Sequence, residues 1–238
     1  EAGYKAAIRR HVTQDVLHGR FKDAADQALT WGWAAPGVGY LQVDNMLKGE
    51  VSLPERLRRI DAGMELALKD LARAKALIVD ARFNGGGRDA VSLRIAGYFT
   101  AERRLAFTKK AVLPDGYTEP QPIYIEPHGK QRFLKPILYL QSGNTVSAAE
   151  IFTLAMRALP NARSIGTPTY GVLSDTLPKQ LPNGWVVTLS NEMYVAADGV
   201  CYESVGIPPQ VPIETDGNET FSQRLERDTT MALREAQR

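Results

Sequence analysis

The sequence of 238 residues contains few side chains that could form a disulfide or bind a metal. It has one cysteine, Cys201, and three histidines, His11, His18 and His128. A single cysteine cannot form an internal disulfide or a thiolate metal cluster. No two histidines have the spacing of a metal motif such as His-x-x-x-His. We therefore expect neither a metal site nor a cofactor.

The sequence also lacks an excess of one charge and any long apolar run. Its 29 basic and 27 acidic side chains give a formal net charge of +2, with no basic tract, so nucleic acid is not an expected partner. No membrane-spanning segment is expected, because no apolar run is long enough to cross a bilayer. The chain opens on "EAGYKAAIRR", with neither an initiator methionine nor a signal peptide. This start predicts a processed form or a piece of a longer protein.

The first third of the chain has three readable patterns. In "YKAAIRRHVTQDVLHGRF" the four-residue spacing of Ile8, Val12 and Val16 predicts a helix that ends near Gly19, with His11 and His18 on its polar side. The stretch "ALTWGWAAPGVGYLQVDNM" predicts two short strands about a Pro-Gly turn. The stretch "SLPERLRRIDAGMELALKDLARAKA" predicts a helix.

Two strand-loop-helix units follow and define the predicted fold class. The strand "ALIVDA" leads into "RFNGGGRDAVSLRIAGYF", and the same order recurs in "PILYLQSGNTVSAAEIFTLAMRAL", with a further strand at "ARSIG". Turn signals at Pro182-Asn183-Gly184 and Asp198-Gly199 predict antiparallel hairpins. We therefore predict an α/β fold: a mixed sheet with helices on its faces and antiparallel hairpins at one end. Ligands of such sheets lie beyond the carboxyl ends of the strands, so both loops should open on one rim.

The glycine loop, Gly85 to Gly87, allows more than one interpretation. Its backbone N–H groups could face a ligand, and a phosphate is one candidate. The loop matches neither Gly-x-Gly-x-x-Gly nor the phosphate-binding Gly-x-x-x-x-Gly-Lys-Ser/Thr pattern. A tight turn that lets the next helix pack is the simpler structural alternative.

Ser147, in "QSGNTVSAAEIFTLAM", could be a helix cap or a nucleophile. With Glu150 three residues later it has the spacing of a capping box. A helix N-terminus also offers N–H donors that stabilise developing negative charge in acyl transfer. If both loops reach one rim, the glycine loop and the start of this helix would supply two sources of donors around one hydroxyl. Such a site still requires a base.

Four segments together resemble a known enzyme family. "ALIVDARFNGGG", "TVSAAEIFTLAM", "SIGTPTYG" and "YESVGIPPQVPI" occur in the order found in the C-terminal processing, or tail-specific, serine peptidases and their relatives around the tricorn core. The similarity extends from Gly39 to Ile213. It implies a serine peptidase that acts on peptides or unfolded protein, with a PDZ-like module before the catalytic domain and export to the periplasm or cell surface. We accordingly assign residues 1–35 to an N-terminal helical lead-in and 36–238 to the catalytic domain.

The resemblance also implies roles for individual residues. Ser147 matches the nucleophile, Gly87 and Ala148 match the oxyanion-hole donors, and Glu203 matches the acid of the tricorn-like branch. The processing-protease branch has a lysine base directly after "TYG", where this sequence has Val172. A Ser-Lys dyad is thereby excluded, and the sequence is nearer to the tricorn-like branch. That branch takes a histidine base from an N-terminal helical region with no counterpart here.

Other interpretations remain open. Gln210 replaces the aspartate that is usual after the last proline of the family motif. Glu203 could be a solvated carboxylate of a hairpin, and Glu150 could act only as a cap partner. The chain could be a peptide-binding domain on the same fold that has lost its proton acceptor. A nucleotide-binding α/β domain depends on the glycine loop alone.

Overall fold

A computed structural model describes residues 2–46 and 50–238. Its strands are, in chain order, β1 (Phe21–Ala24), β2 (Leu29–Ala35), β3 (Val38–Val43), β4 (Ala76–Asp80), β5 (Arg104–Leu113), β6 (Gly116–Tyr117), β7 (Gln121–Ile125), β8 (Ile137–Gln141), β9 (Ala162–Gly166), β10 (Thr176–Gln180), β11 (Val186–Ser190), β12 (Glu192–Ala196) and β13 (Val211–Pro212). Its helices are α1 (Ala2–Arg10), which continues as a π-helical segment (His11–Val16), α2 (Leu53–Asp70), α3 (Asp89–Gly97), α4 (Ala148–Arg157) and α5 (Phe221–Ala236).

Seven strands form the central sheet in the order β1-β2-β3-β4-β8-β9-β13. The first three are antiparallel neighbours, and the pairs from β3 to β13 are all parallel. Strands β4 and β8 are buried along their whole length. Their apolar side chains point to both faces of the sheet, as expected of parallel strands covered on both sides.

Helices cover each face of the sheet. Because side chains alternate across a strand, Leu77 and Val79 of β4 join a core with α2, α3 and α4. Ile78 points to the other face, where it joins a second core with the π-helical segment and α5. The predicted α/β class, with helices on both faces, is confirmed. None of the helices in the described ranges has both the length and the hydropathy of a bilayer-spanning segment.

Two smaller sheets hold the hairpins. Strand β5 pairs with β6, β7 and β12, all antiparallel, and β10 pairs with β11. The turn predicted at 182–184 is present between β10 and β11. The second predicted hairpin is wrong. The turn at Asp198-Gly199 is present, but in the described ranges no strand follows it to pair with β12, and β12 pairs with β5 instead. Stacking of Tyr194 on Phe107, with ring centroids 5.3 Å apart, stabilises this non-local pairing.

The first helix differs from the prediction in one respect that matters for the site. It ends where expected, with His18 and Gly19 at φ values of 51° and 71°. His18 is exposed as predicted, but the placement of His11 on the polar side is wrong. His11 lies in the π-helical segment, faces α5 and contacts Thr229 Oγ1 through Nε2 at 3.0 Å. Residues 21–35 add β1 and β2 to the central sheet, and the domain boundary at 35 stays a prediction.

Candidate active site

Four loops meet at one rim of the central sheet. They follow β3, β4, β8 and β9, whose carboxyl ends share an edge because these strands are parallel. Backbone hydrogen bonds join the loops in series: Met46 N–H to Gly86 O at 3.0 Å, Val146 N–H to Asn84 O at 3.0 Å, and Tyr170 N–H to Thr145 O at 3.1 Å. The prediction that the glycine loop and the serine loop open on one rim is confirmed.

The glycine loop packs directly against Ser147. A Cβ added to Gly86, whose φ is +84°, would lie 2.7 Å from Val146 O and 2.9 Å from Ser147 Cβ. Only glycine permits this approach. Asn84 fixes the loop, because its Oδ1 accepts the Gly86 N–H at 2.9 Å and its Nδ2 donates to Val43 O at 3.0 Å. The glycines therefore bring backbone close to the serine.

Ser147 is exposed at the start of α4 and has an unusual backbone conformation. Its φ of 59° and ψ of −127° are the angles of the first central residue of a type II′ turn, where glycine is preferred. Ser147 and Glu150 pair in capping-box fashion, but the Ser147 hydroxyl makes no cap hydrogen bond of regular geometry to the described residues. Ser147 thus combines a strained backbone with an accessible side chain at the rim.

The N–H groups of Gly87 and Ala148 flank this position. Gly87 is exposed, with φ of +149°, and Ala148 is the first residue of α4. Within residues 2–46 and 50–238, neither N–H donates a hydrogen bond to another group. Their role as oxyanion donors stays a prediction, and the availability of both N–H groups is compatible with it.

Glu150 joins the serine loop to the loop that follows β9. Its carboxylate is fully buried and accepts four hydrogen bonds. Oε2 accepts the N–H of Ser147 at 3.1 Å and of Val172 at 2.8 Å. Oε1 accepts the Thr169 hydroxyl and the Gly171 N–H, both at 2.7 Å. The capping-box interpretation covered only the first of these contacts.

Glu203, in the segment after β12, contacts the far end of the loop that follows β9. Its Oε2 accepts the N–H groups of Leu173 at 2.8 Å and Ser174 at 3.0 Å. Val172, at the position of the lysine in the processing branch, precedes Leu173 and is bonded to Glu150. A continuous set of contacts thus runs from Ser147 through Glu150 and this loop to Glu203. In the described ranges, no hydrogen bond joins Ser147 to Glu203 directly.

The histidines have other partners. His11 contacts Thr229 and, through Nδ1 at 3.3 Å, Asp15. Burial, followed by the charge of Arg82, lowers the pKa of His11. His128 contacts Asp61 and Arg94 beside α2 and α3. Among the described residues, neither histidine bonds to Ser147 or Glu203.

A buried ion pair supports the glycine loop from behind. Arg82, four residues before Gly86, binds Asp80 with its Nη2 and Asp80 Oδ2 2.7 Å apart, and Nη2 also donates to Thr229 Oγ1 at 3.0 Å. Tyr40 donates its hydroxyl proton to Asp80. Burial alone would raise the pKa of Asp80, but the Arg82 guanidinium holds that pKa below its usual value. The loop therefore follows directly on a buried ion pair with several hydrogen bonds.

The sequence patterns did not indicate one further carboxylate near the rim, Asp89. Asp89, in the first turn of α3, lies 3.5 Å from the Tyr194 hydroxyl. Burial, with added repulsion from Asp175 and Glu192, raises its pKa to about 6. The carboxylates that repel it lie more than 80 residues away in the sequence, so no local pattern could have indicated them.

One cavity opens beside the glycine loop. It has a volume of about 590 Å³ and lies between α1 and the residues after β3 and β4. Tyr4, Asp44, Phe83 and Gly85 are among its lining residues, and Asn144 of the serine loop donates to the Tyr4 hydroxyl at 3.0 Å. A larger cavity of about 880 Å³ lies between the first helix and α5. Ser147, Gly87 and Glu203 line neither cavity. The smaller cavity is the better substrate-binding candidate, because Gly85 of the glycine loop is one of its lining residues.

Comparison with known proteins gives a consistent family. The carboxy-terminal processing protease CtpA of Bacillus subtilis is 28% identical over 141 residues, which cover 59% of this chain and 29% of that protein. The tricorn protease of Thermoplasma volcanium is 27% identical over 201 residues, which cover 82% of this chain and 17% of that protein. The chain therefore spans less than a third of either relative.

Solved structures and a family model agree with these relatives. A crystal structure from Parabacteroides merdae, named as a candidate peptidase, superimposes with a TM-score of 0.77 at 26% identity, covering 94% of this chain and 70% of that chain. The model of peptidase family S41 matches residues 37–213. This match covers well over half of the sequence, so the chain belongs to peptidase family S41.

Proposed function

We propose that this chain is the catalytic domain of a serine-type peptidase that cleaves unstructured or carboxyl-terminal peptide segments. The observation that carries the proposal is the placement of Ser147: an exposed hydroxyl in a strained backbone conformation, at the start of α4 and against the glycine loop. Strain of this kind concentrates at functional sites. Membership of a peptidase family supports the same chemistry.

In the proposed reaction, Ser147 Oγ attacks the carbonyl carbon of the scissile peptide bond. Its proton passes to a base and then to the leaving amine, and water later releases the acyl group from Ser147. The N–H groups of Gly87 and Ala148 hold the oxyanion that forms on the carbonyl oxygen. Glu203 supports the base, and Glu150 positions the Ser147 backbone.

The base is the missing component. A serine hydroxyl is a weak nucleophile at neutral pH unless a neighbouring group accepts its proton. Glu203 alone is unsuitable, because an ordinary carboxyl group with a pKa of roughly 4 has little drive to accept that proton. The position of the lysine base is Val172. We propose that a histidine from a segment or subunit outside this chain takes the role.

The alternative is a domain on the same fold that binds peptides without cleaving them. One observation favours it: among the described residues, His11 and His128 are bonded to groups away from Ser147. Such a domain would keep the rim and the cavity but would turn over no substrate. This alternative would be established if a longer form of the gene product, with an upstream segment, binds unstructured peptides and leaves them intact.

The test compares the 238-residue chain with a longer form of its gene product that adds an upstream histidine-bearing segment. Release of product from fluorogenic unstructured peptides is measured for both. We expect slow or no cleavage by the short chain and clear cleavage by the long one. In the long form, Ser147→Ala and Glu203→Gln should each abolish activity, and Ser222→Ala, at an exposed serine of α5, should not.

Two results would contradict the proposal. Cleavage by the long form that survives Ser147→Ala would remove the serine from the reaction. Brisk, Ser147-dependent cleavage by the short chain would place the base within this chain and direct the search to His11, His18 or His128.

A further inference from the structure

The β10–β11 hairpin is a two-stranded sheet that extends from the rest of the fold. All ten of its strand residues are exposed. In the part of the chain that the structure describes, each strand pairs only with the other. An isolated two-stranded hairpin is at best marginally stable in water. This one therefore lacks the partner that would normally stabilise it.

The hairpin has one apolar and one polar face. Directly paired residues share a face, so Leu177 lies beside Leu189, and Lys179 lies beside Val187. Leu181 and Trp185 extend this face at the turn. Leu177, Leu189 and Trp185 are 42%, 56% and 71% exposed. The opposite face carries four polar residues, Thr176, Gln180, Thr188 and Ser190, together with Pro178 and Val186. An unpartnered apolar face of this size is unusual for a solvated hairpin.

The two edges of the hairpin are not equivalent. The bonds from Leu181 N–H to Trp185 O at 2.7 Å and from Asn191 N–H to Asp175 O at 3.3 Å fix which residues bond inward. By the alternation of an antiparallel ladder, residues 176, 178 and 180 on β10 and residues 186, 188 and 190 on β11 face outward. Residue 178 is proline, which has no N–H, so the β10 edge lacks its central donor and is closed to a continuous ladder. Only the β11 edge keeps a full set of donors.

We propose that the β11 edge pairs with the β11 edge of a second copy of this chain, antiparallel, about a two-fold axis at Thr188. In this register Thr188 faces its own symmetry mate, and Val186 faces Ser190 of the other copy. The result is a four-stranded sheet in which Val187 of one copy adjoins Leu189 of the other. The apolar faces of both hairpins then become continuous.

Three features favour a second copy as the occupant. The outward N–H groups of β11 lie at positions 186, 188 and 190, which are symmetric about Thr188. Two copies of β11 that pair about Thr188 therefore keep their apolar faces on the same side of the sheet. A threonine pair is a favourable cross-strand pair on the axis. Pairing about a two-fold axis is isologous, and the missing central donor at Pro178 disfavours growth of the dimer into a fibre through the other edge.

The first experiment measures the oligomeric state of the full 238-residue chain by sedimentation over a range of concentrations. We expect a monomer–dimer equilibrium. Thr188→Pro should raise the dimer dissociation constant more than about ten-fold, because both N–H···O bonds of the axial pair are lost. Thr188→Val keeps the N–H and should leave the dissociation constant nearly unchanged. Thermal melts of both variants show whether the fold is retained.

The second experiment tests the register. In a Cys201→Ser background, which removes the exposed native thiol, Thr188→Cys should form a disulfide-linked dimer under mild oxidation. The expected Cα separation of about 5.5 Å for such a pair lies within the disulfide range. Thr176→Cys, on the same face but on the closed edge, should not cross-link.

Several results would overturn the proposal. These are a monomer at every concentration, a dimer that Thr188→Pro leaves intact, and equal cross-linking of the two cysteine variants. A monomeric chain whose β11 amides are protected from hydrogen exchange only by an added extended peptide would assign the edge to a peptide instead.

Discussion

The buried carboxylate of Glu150 accepts the backbone N–H of Ser147 at 3.1 Å. The same carboxylate accepts three donors from the loop after β9, so the backbone of the proposed nucleophile and that loop share one anchor. Removing an acceptor from several buried donors costs more than the bonds themselves contribute, because each donor loses its partner.

We expect Glu150→Gln to lower the free energy of unfolding by about 2 to 3 kcal/mol, because the amide turns an N–H₂ toward groups that are themselves donors. Chemical denaturation of the 238-residue chain measures the change. Glu119→Gln, at an exposed carboxylate, is the matched control and should be neutral. Equal stability of the two variants would show that the four contacts contribute little.

A second prediction separates the two interpretations of Ser147. Because its hydroxyl makes no cap bond of regular geometry, Ser147→Ala should change the free energy of unfolding by less than about 0.5 kcal/mol. A functioning cap would cost about 1 kcal/mol. Ser147→Gly should be more stable than Ser147→Ala by about 1 kcal/mol, because glycine relieves the strain at a φ of 59°. An alanine variant as stable as the glycine variant would show that this backbone is not strained.

Gly86 provides a test of the close approach between the two loops. In Gly86→Ala the new Cβ would meet Val146 O at 2.7 Å and Ser147 Cβ at 2.9 Å. We expect a loss of about 2 to 3 kcal/mol in the free energy of unfolding, from overpacking and from the positive φ. Gly217→Ala, with open space around its Cα, is the control and should be neutral. A tolerated Gly86→Ala would mean that the loops lie further apart.

The raised pKa of Asp89 predicts a dependence of stability on pH. The folded protein keeps this proton up to about pH 6, whereas an unfolded chain releases it near pH 4. Between these values the folded state binds more protons, so the free energy of unfolding falls as pH rises through this window. Asp89→Asn should reduce that slope and raise stability at pH 7 by about 1 to 3 kcal/mol. Denaturant melts from pH 4 to 8 measure the slope, with Asp115→Asn as an exposed control.

The sequence predicted those parts of the molecule that depend on local patterns. Strand-loop-helix order, the glycine loop and the spacing of Ser147 and Glu150 are all written within short windows, and each led to the correct element. The pairing of β12 with β5 was missed because Tyr194 and Phe107 are far apart in sequence. The burial of His11 was missed because it depends on Thr229, 218 residues later.

The candidate site also has some features that local sequence patterns predict and others that depend on distant contacts. The shared rim followed from the parallel strands, but the second function of Glu150 did not, since Thr169, Gly171 and Val172 contact it only in the folded chain. The raised pKa of Asp89 likewise arises from burial in the folded chain and, after that, from charged groups on β12 and in the segment before β10. Charge interactions across the fold leave no periodicity that a sequence could display.

The anchor at Glu150 has a consequence for how such a site could be controlled. In the described residues, Ser147 is positioned by the glycine loop, by the start of α4 and by the buried Glu150 carboxylate. The proposed proton acceptor is outside this chain. If that proposal holds, a serine already positioned by this domain stays unreactive until an imidazole reaches it. Assembly, and not the shape of this domain, would decide when cleavage begins.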